Sequence, residues 1–204
     1  MLFRYCVSRT MIYLTVIIVG LLSGCASTMT PSSKEEVQGV GDKEGVVIGS
    51  VLITSAKGDE NESGWAFLKG RKADDLKYAI MISESGYDHP FKERYKIQAT
   101  TGKEEVFIRK LPVGNYNMDS LGIVDWDGSQ RLTFRLLINF DVKPRQTTYI
   151  GKLVVSLPDR LRGGSPAKVG VLDAQLETIE KLKSEYPSIV SDTVKDLATT
   201  RTFR

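Results

Sequence analysis

The sequence predicts a mainly-β fold, an antiparallel two-sheet sandwich with a short helical segment at its C-terminal end. Three observations predict it. Leu132, Phe134, Leu136, Ile138, Phe140 and Val142 place apolar side chains at strict period two, the pattern of a strand with one buried face. Roughly eight or nine such runs follow one another at short intervals, with turn residues between them, as in a sandwich or barrel. After residue 172 the apolar spacing changes to three and four, the period of a helix.

The elements follow in order. Residues 46–55 are rich in Val and Ile. Residues 65–69 form a short apolar run after the polar turn at 57–61. In 76–83, Tyr78, Ile80 and Ile82 share a face. Residues 95–100 read as a further strand, then 106–111, the turn Pro112-Val113-Gly114, and 116–124. The strand 132–142 has Thr133, Arg135, Asn139 and Asp141 on its polar face, with Leu137 as the exception. Strands at 147–157 and 167–172 complete the set. Leu172, Leu176, Ile179, Leu182 and Tyr186 then mark one helix face, with Asp173 as N-cap and Pro187 as the stop. Residues 191–198 read as a second short helix showing Val194 and Leu197, and 199–204 as a frayed tail.

Phe107-Ile108-Arg109-Lys110-Leu111-Pro112-Val113-Gly114-Asn115-Tyr116 resembles the L-P-x-G-x-Y turn of prealbumin-like and carboxypeptidase-regulatory-like domains. In that turn a strand ends at the Leu-Pro, the Gly turns, and the Tyr opens the next strand. Thr147-Thr148-Tyr149-Ile150-Gly151 resembles a companion strand in bacterial lipoproteins. The resemblance implies an Ig-like or transthyretin-like sandwich, commonly a non-catalytic accessory domain, and implies no activity.

The N-terminus carries a different signal. Arg4 and Arg9 precede a nearly unbroken apolar run from Met11 to Leu22, which then meets Ser23-Gly24-Cys25. A basic start, a short apolar core and small residues make a secretory signal, and the run is too short for the ~20 apolar residues of a span. Leu22-Ser23-Gly24-Cys25 resembles the lipobox of bacterial lipoproteins. The resemblance implies cleavage between Gly24 and Cys25 and a lipid thioether on Cys25, so that the bilayer is the first partner. Two or more acyl chains anchor stably where one is marginal. By the same resemblance, Ala26 after the cysteine implies the outer membrane in a cell with two membranes.

These readings divide the chain into a signal peptide (1–24), a flexible tether (25–45), a β-sandwich (46–172) and a C-terminal helix and tail packed on it (173–204). The full chain has 28 Lys+Arg against 25 Asp+Glu, a formal charge of +3. Loss of Arg4 and Arg9 with the signal brings this to about +1, which argues against a nucleic-acid partner. Cys6 leaves with the signal and Cys25 is lipidated. The body then has no thiol for a disulfide, a metal or a nucleophile.

Candidates for chemistry are few. His89, the single histidine, has no G-x-S-x-G elbow and no second His to make a metal site. Asp125-Trp126-Asp127-Gly128 falls short of a calcium loop and reads as a hairpin turn. Lys69-Gly70-Arg71-Lys72 and Arg160 with Arg162 read as solvated basic loops. Asp74-Asp75 and Glu104-Glu105 read as acids in turns. Trp126 and Trp65, with Tyr87 and Tyr116, offer an aromatic binding surface on loops. The expected function is a membrane-anchored envelope lipoprotein that binds an envelope protein or a glycan. No enzyme activity, cofactor or metal is expected. The alternatives are a hydrolase using Asp or Glu carboxylates and a structural subunit of an envelope assembly.

Overall fold

Strand β6 (Gln130–Val142) shows how the sequence pattern becomes a layer. Phe134, Leu136, Ile138, Phe140 and Val142 are buried, and Thr133, Arg135 and Asp141 are exposed. The computed structural model describes residues 37, 39–55, 76–85, 95–124, 130–157 and 167–201. The other strands among them are β1 (Glu44–Ser55), β2 (Lys77–Glu84), β3 (Tyr95–Thr100), β4 (Glu104–Pro112), β5 (Gly114–Val124), β7 (Thr147–Leu157), β8 (Lys168–Leu172), β9 (Thr193–Lys195) and β10 (Thr199–Thr200). Two helices lie between β8 and β9, α1 (Gln175–Lys183) and α2 (Pro187–Val190).

Sheet A runs β4-β1-β7-β8, with β9 also on β7, and sheet B runs β10-β6-β5-β2-β3. Their inner faces close on one core. Val47, Val51 and Ile53 from sheet A meet Tyr78, Ile80, Leu121 and Phe134 from sheet B. The protein is therefore mainly β, with two sheets and little helix. Pairing is antiparallel except for β1·β7 and β7·β9, which are parallel. The all-antiparallel expectation missed these, because alternation reports which face is buried and not which way a neighbour runs.

A third layer lies outside sheet A. Val46, Ile48, Ile108 and Tyr149 point away from the sandwich core and are covered by Leu182, Tyr186 and Val190. Val37 joins this cluster and is 1% exposed, with Val40 half-buried against it. Val37 and Val40, within the stretch read as tether, thus pack against the outer face of sheet A.

A bulge keeps β7 in phase. Ile48 pairs with Tyr149 but Ser50 with Lys152, so Ile150 and Gly151 together face Gly49. The extra residue sets Ile150 and Leu153 inward while Tyr149 packs outward. Gly151 has φ 112°, a left-handed conformation that favours glycine, and a Cβ there would meet Val171 Cγ1 at 2.6 Å.

The end of the chain differs from its sequence reading in four places. Leu172 and Leu176 are exposed, and the buried residues of α1 are Thr178 and Leu182. The N-cap position is Ala174, and Asp173 instead accepts the Gln175 N–H at 3.3 Å. Pro187 does not stop α1, which ends at Lys183, but opens α2. Residues 191–198 form no helix: Thr193–Lys195 is β9, and Thr199–Thr200 is β10, paired with β6. The segment after Leu172 gives one strand to each sheet. Glu104 and Glu105 lie in β4, not in a turn.

Candidate functional site

The outward face of sheet B carries short polar side chains at successive outward positions. On β5 these are Asn115, Asn117 and Asp119, and on β6 they are Asn139 and Asp141 beside Leu137. Register sets Asn115 against Asp141 and Asn117 against Asn139. Ser83 and Ser85, at the end of β2, complete the row.

Hydrogen bonds join these groups laterally. Ser83 Oγ donates to Asp119 Oδ2 at 3.0 Å, and Ser85 Oγ donates to Asn117 Oδ1 at 2.9 Å. Asn115 Nδ2 donates to Asp141 Oδ1. Ser120 Oγ donates to Asp119 Oδ1 at 3.0 Å. Asn139 Nδ2 is shielded from solvent and has no hydrogen-bond partner among the described residues. Arg201 borders the row, held by its backbone N–H on Leu137 O at 3.0 Å. The Asn and Asp side chains, with Ser85, Leu137 and Arg201, line an open cleft of about 540 Å³, within the range of small-ligand sites.

The floor beneath is packed on the core. Tyr116 and Phe140 face the core and stack at 5.7 Å with planes 16° apart. Tyr116 Oη also donates to Pro112 O at 3.0 Å, across the Leu111–Tyr116 turn. That bond ties the sequence turn motif directly to the end of the cleft.

Catalytic use of the two acids meets a distance problem. Asp119 and Asp141 lie about 14 Å apart along the strands, from four residues at ~3.4 Å each. Glycosidase pairs need roughly 5 to 9.5 Å. Each carboxylate is also engaged by a different neighbour.

A second charged cluster is structural. Glu104 on β4 takes Lys152 Nζ at 2.8 Å and Lys181 Nζ of α1 at 3.1 Å. Burial works against the Glu104 charge, yet the hydrogen bonds from Lys152 and Lys181 oppose it, and the carboxyl is held at about 2. The cluster clamps the helical layer to sheet A. At the edge between the sheets, Arg109 Nη2 donates to Lys96 O at 2.7 Å and joins β4 to β3.

The residues singled out in the sequence, Gly24, Cys25, Trp65, Tyr87, Trp126, His89, Asp74-Asp75 and the two basic loops, lie outside the described residues. The strands that lead to the aromatic residues do not share one end. Ser85, two residues before Tyr87, sits beside Asn115, whereas Val124 and Lys77, which lead to Trp126 and follow Trp65, pair at the far end of sheet B. The polar row itself went unremarked in the sequence. Its signal was there, Asn115, Asn117 and Asp119 at period two, where strands ordinarily avoid Asn and Asp.

No family model matches the chain, and no curated protein matches it. Among solved structures it is similar to a leucine-rich repeat protein from Bacteroides thetaiotaomicron VPI-5482, at 13% identity and a TM-score of 0.29. The match covers 72% of this chain and 16% of that one. At this score the likeness carries no argument about fold or function.

Proposed function

We propose that this chain is a lipid-anchored protein of the bacterial envelope whose two-sheet body is a non-enzymatic binding module. The anchor reading rests on Leu22-Ser23-Gly24-Cys25 and its context. It places the protein on a membrane through Cys25, the outer one where the cell has two. The binding reading rests on one observation, the outward cleft of sheet B, whose polar side chains are held by one another while its carboxylates stand too far apart to share a reacting atom.

The body is a transthyretin-like rather than an Ig-like sandwich in this proposal. Support comes from the strand order. An Ig sheet sets its first strand beside its second, all antiparallel. Here β1 lies between β4 and β7, and runs parallel to β7. The Leu111–Tyr116 turn supports the same assignment.

A second reading, a structural subunit of an envelope assembly, is favoured by two exposed leucines, Leu176 on α1 at 84% and Leu172 at the end of β8 at 53%.

Two measurements test the proposal. Wild type should incorporate labelled palmitate and fractionate with membranes, and Cys25→Ala should do neither. Equal labelling of the two would sink the anchor. Crosslinking in intact envelopes should recover a partner that Asn117→Thr loses. A partner lost instead with Leu176→Ser assigns the contact to α1.

A further inference from the structure

We infer that the outward cleft of sheet B binds a neutral, hydroxyl-rich glycan, with Asn117, Asn139 and Asp141 making the contacts. The inference deepens the binding-module reading and rests on it.

The starting point is what the strands give up. An exposed sheet face is ordinarily polar, so polarity alone marks nothing. Its usual residues are β-branched or long, and Asn and Asp are disfavoured in strands. Five outward positions on β5 and β6 nevertheless carry them. A local rule broken repeatedly on one patch is expected where function, not folding, sets the residues.

The chemistry of the patch selects a ligand class. Asn offers both a donor and an acceptor at one end of a flat group, and Asp offers paired acceptors. A sugar hydroxyl likewise both donates and accepts, and neighbouring hydroxyls match the two-atom heads of amides and carboxylates. The row is also fixed in advance, since Ser85 holds Asn117 and Asn115 holds Asp141. Fixing side chains before binding removes part of the ordering cost. Asn139 lines the cleft opposite Asn117, and its Nδ2 is a donor shielded from solvent with no partner among the described residues. Turning the Asn139 amide outward on binding would bring that donor to a ligand hydroxyl oxygen and satisfy a group that is costly to leave unbonded.

Other ligands fit less well. An anion would meet Asp119 and Asp141 with only Arg201 in its favour. A divalent cation needs several oxygens at one point, and the two acids are about 14 Å apart along the strands. No three His, Cys, Asp or Glu side chains converge on a metal position among the described residues. A protein partner would favour an apolar, aromatic centre, and Leu137 is the one apolar side chain on the outward row.

The full-length protein in detergent is titrated by NMR or calorimetry with neutral tetrasaccharides of glucose, mannose, galactose and N-acetylglucosamine. Calcium chloride and inorganic phosphate serve as controls. At least one tetrasaccharide should bind with Kd on the order of 0.1–1 mM, the range of a few net hydrogen bonds. Asn117→Thr and Asn139→Thr should each weaken it at least tenfold. Both replacements favour strand structure, so their melting temperatures should hold or rise. Loss of binding is then separated from loss of fold. Binding of calcium or phosphate in place of every sugar overturns the inference, and so does sugar binding that survives both variants. No sugar binding at 10 mM also overturns it. The binding-module reading still stands in that case if envelope crosslinks persist in wild type and vanish in Asn117→Thr. It fails if wild type yields no crosslinks.

Discussion

Glu104 decides more than its place at the start of β4 suggests. A carboxylate beside two lysines on the surface contributes little, but this one is shielded, and both lysines reach it. Its carboxyl falls from an ordinary 4.5 to about 2 despite burial. A lowered value means the stabilisation is complete above pH 4.5 and is lost as pH falls through 2. Lys152 is shifted up, chiefly by its hydrogen bond to Glu104 and against burial, so the alkaline limit lies above 10.5. Glu104→Gln should lower stability by about 1 to 2 kcal/mol at pH 7. The difference from wild type should shrink steadily below pH 4.5 and be nearly gone at pH 2. Urea unfolding at pH 7, 4 and 2 measures it. A deficit that stays constant with pH would mean that the helix is held by packing alone.

At the scale of elements, the sequence was readable wherever one face of a strand meets the core. Strands β3 and β7 begin and end where the alternation does, and β6 buries the predicted face. Three failures have separate causes. In 191–198, Val194 and Leu197 mimic a helical interval, yet Thr193-Val194-Lys195 pairs beside β7. Two apolar residues are too few to tell one period from another. In α1, Leu176 fits the helical face but is exposed while Thr178 is buried, a choice set by what the helix packs against and not by local pattern. In β5, the outward Asn and Asp residues were passed over because a polar outward face is the ordinary expectation. The segment after β9 gives a test at this scale. Ala198 N–H bonds Ile150 O at 2.9 Å and Arg201 N–H bonds Leu137 O at 3.0 Å, so the last described residues fasten both sheets. Removing residues 197–204 should cost about 2 kcal/mol, from lost hydrogen bonds and the exposure of Ala198. A melting temperature that stays the same would show that those bonds contribute nothing net.

The whole molecule has a direction that follows from Val37. Twelve peptide steps separate it from Cys25, so the lipid of the proposed anchor would lie at most about 40 Å away. A flexible chain of that length averages about 19 Å. Val37 docks beside Arg145 and α2, at the end of sheet A where Arg145 N–H bonds Glu44 O. The opposite end, where Lys168 pairs with Ser156 beside Thr54, lies about 33 Å further along β1. An anchored protein therefore presents the Arg145 end to the bilayer. The cleft of sheet B is at the same end, since Gly114 pairs with Val142 and Glu44 with Pro112. Under the two proposals together, the glycan cleft would lie at the membrane-proximal end of the domain. A photo-crosslinking residue at position 145 should label lipid several-fold more than one at position 168. Inserting twenty Gly/Ser residues after Ala26 should bring the two nearly level, because the longer chain lets either end reach. Equal labelling without the insertion would mean that the buried Val37 does not orient the domain.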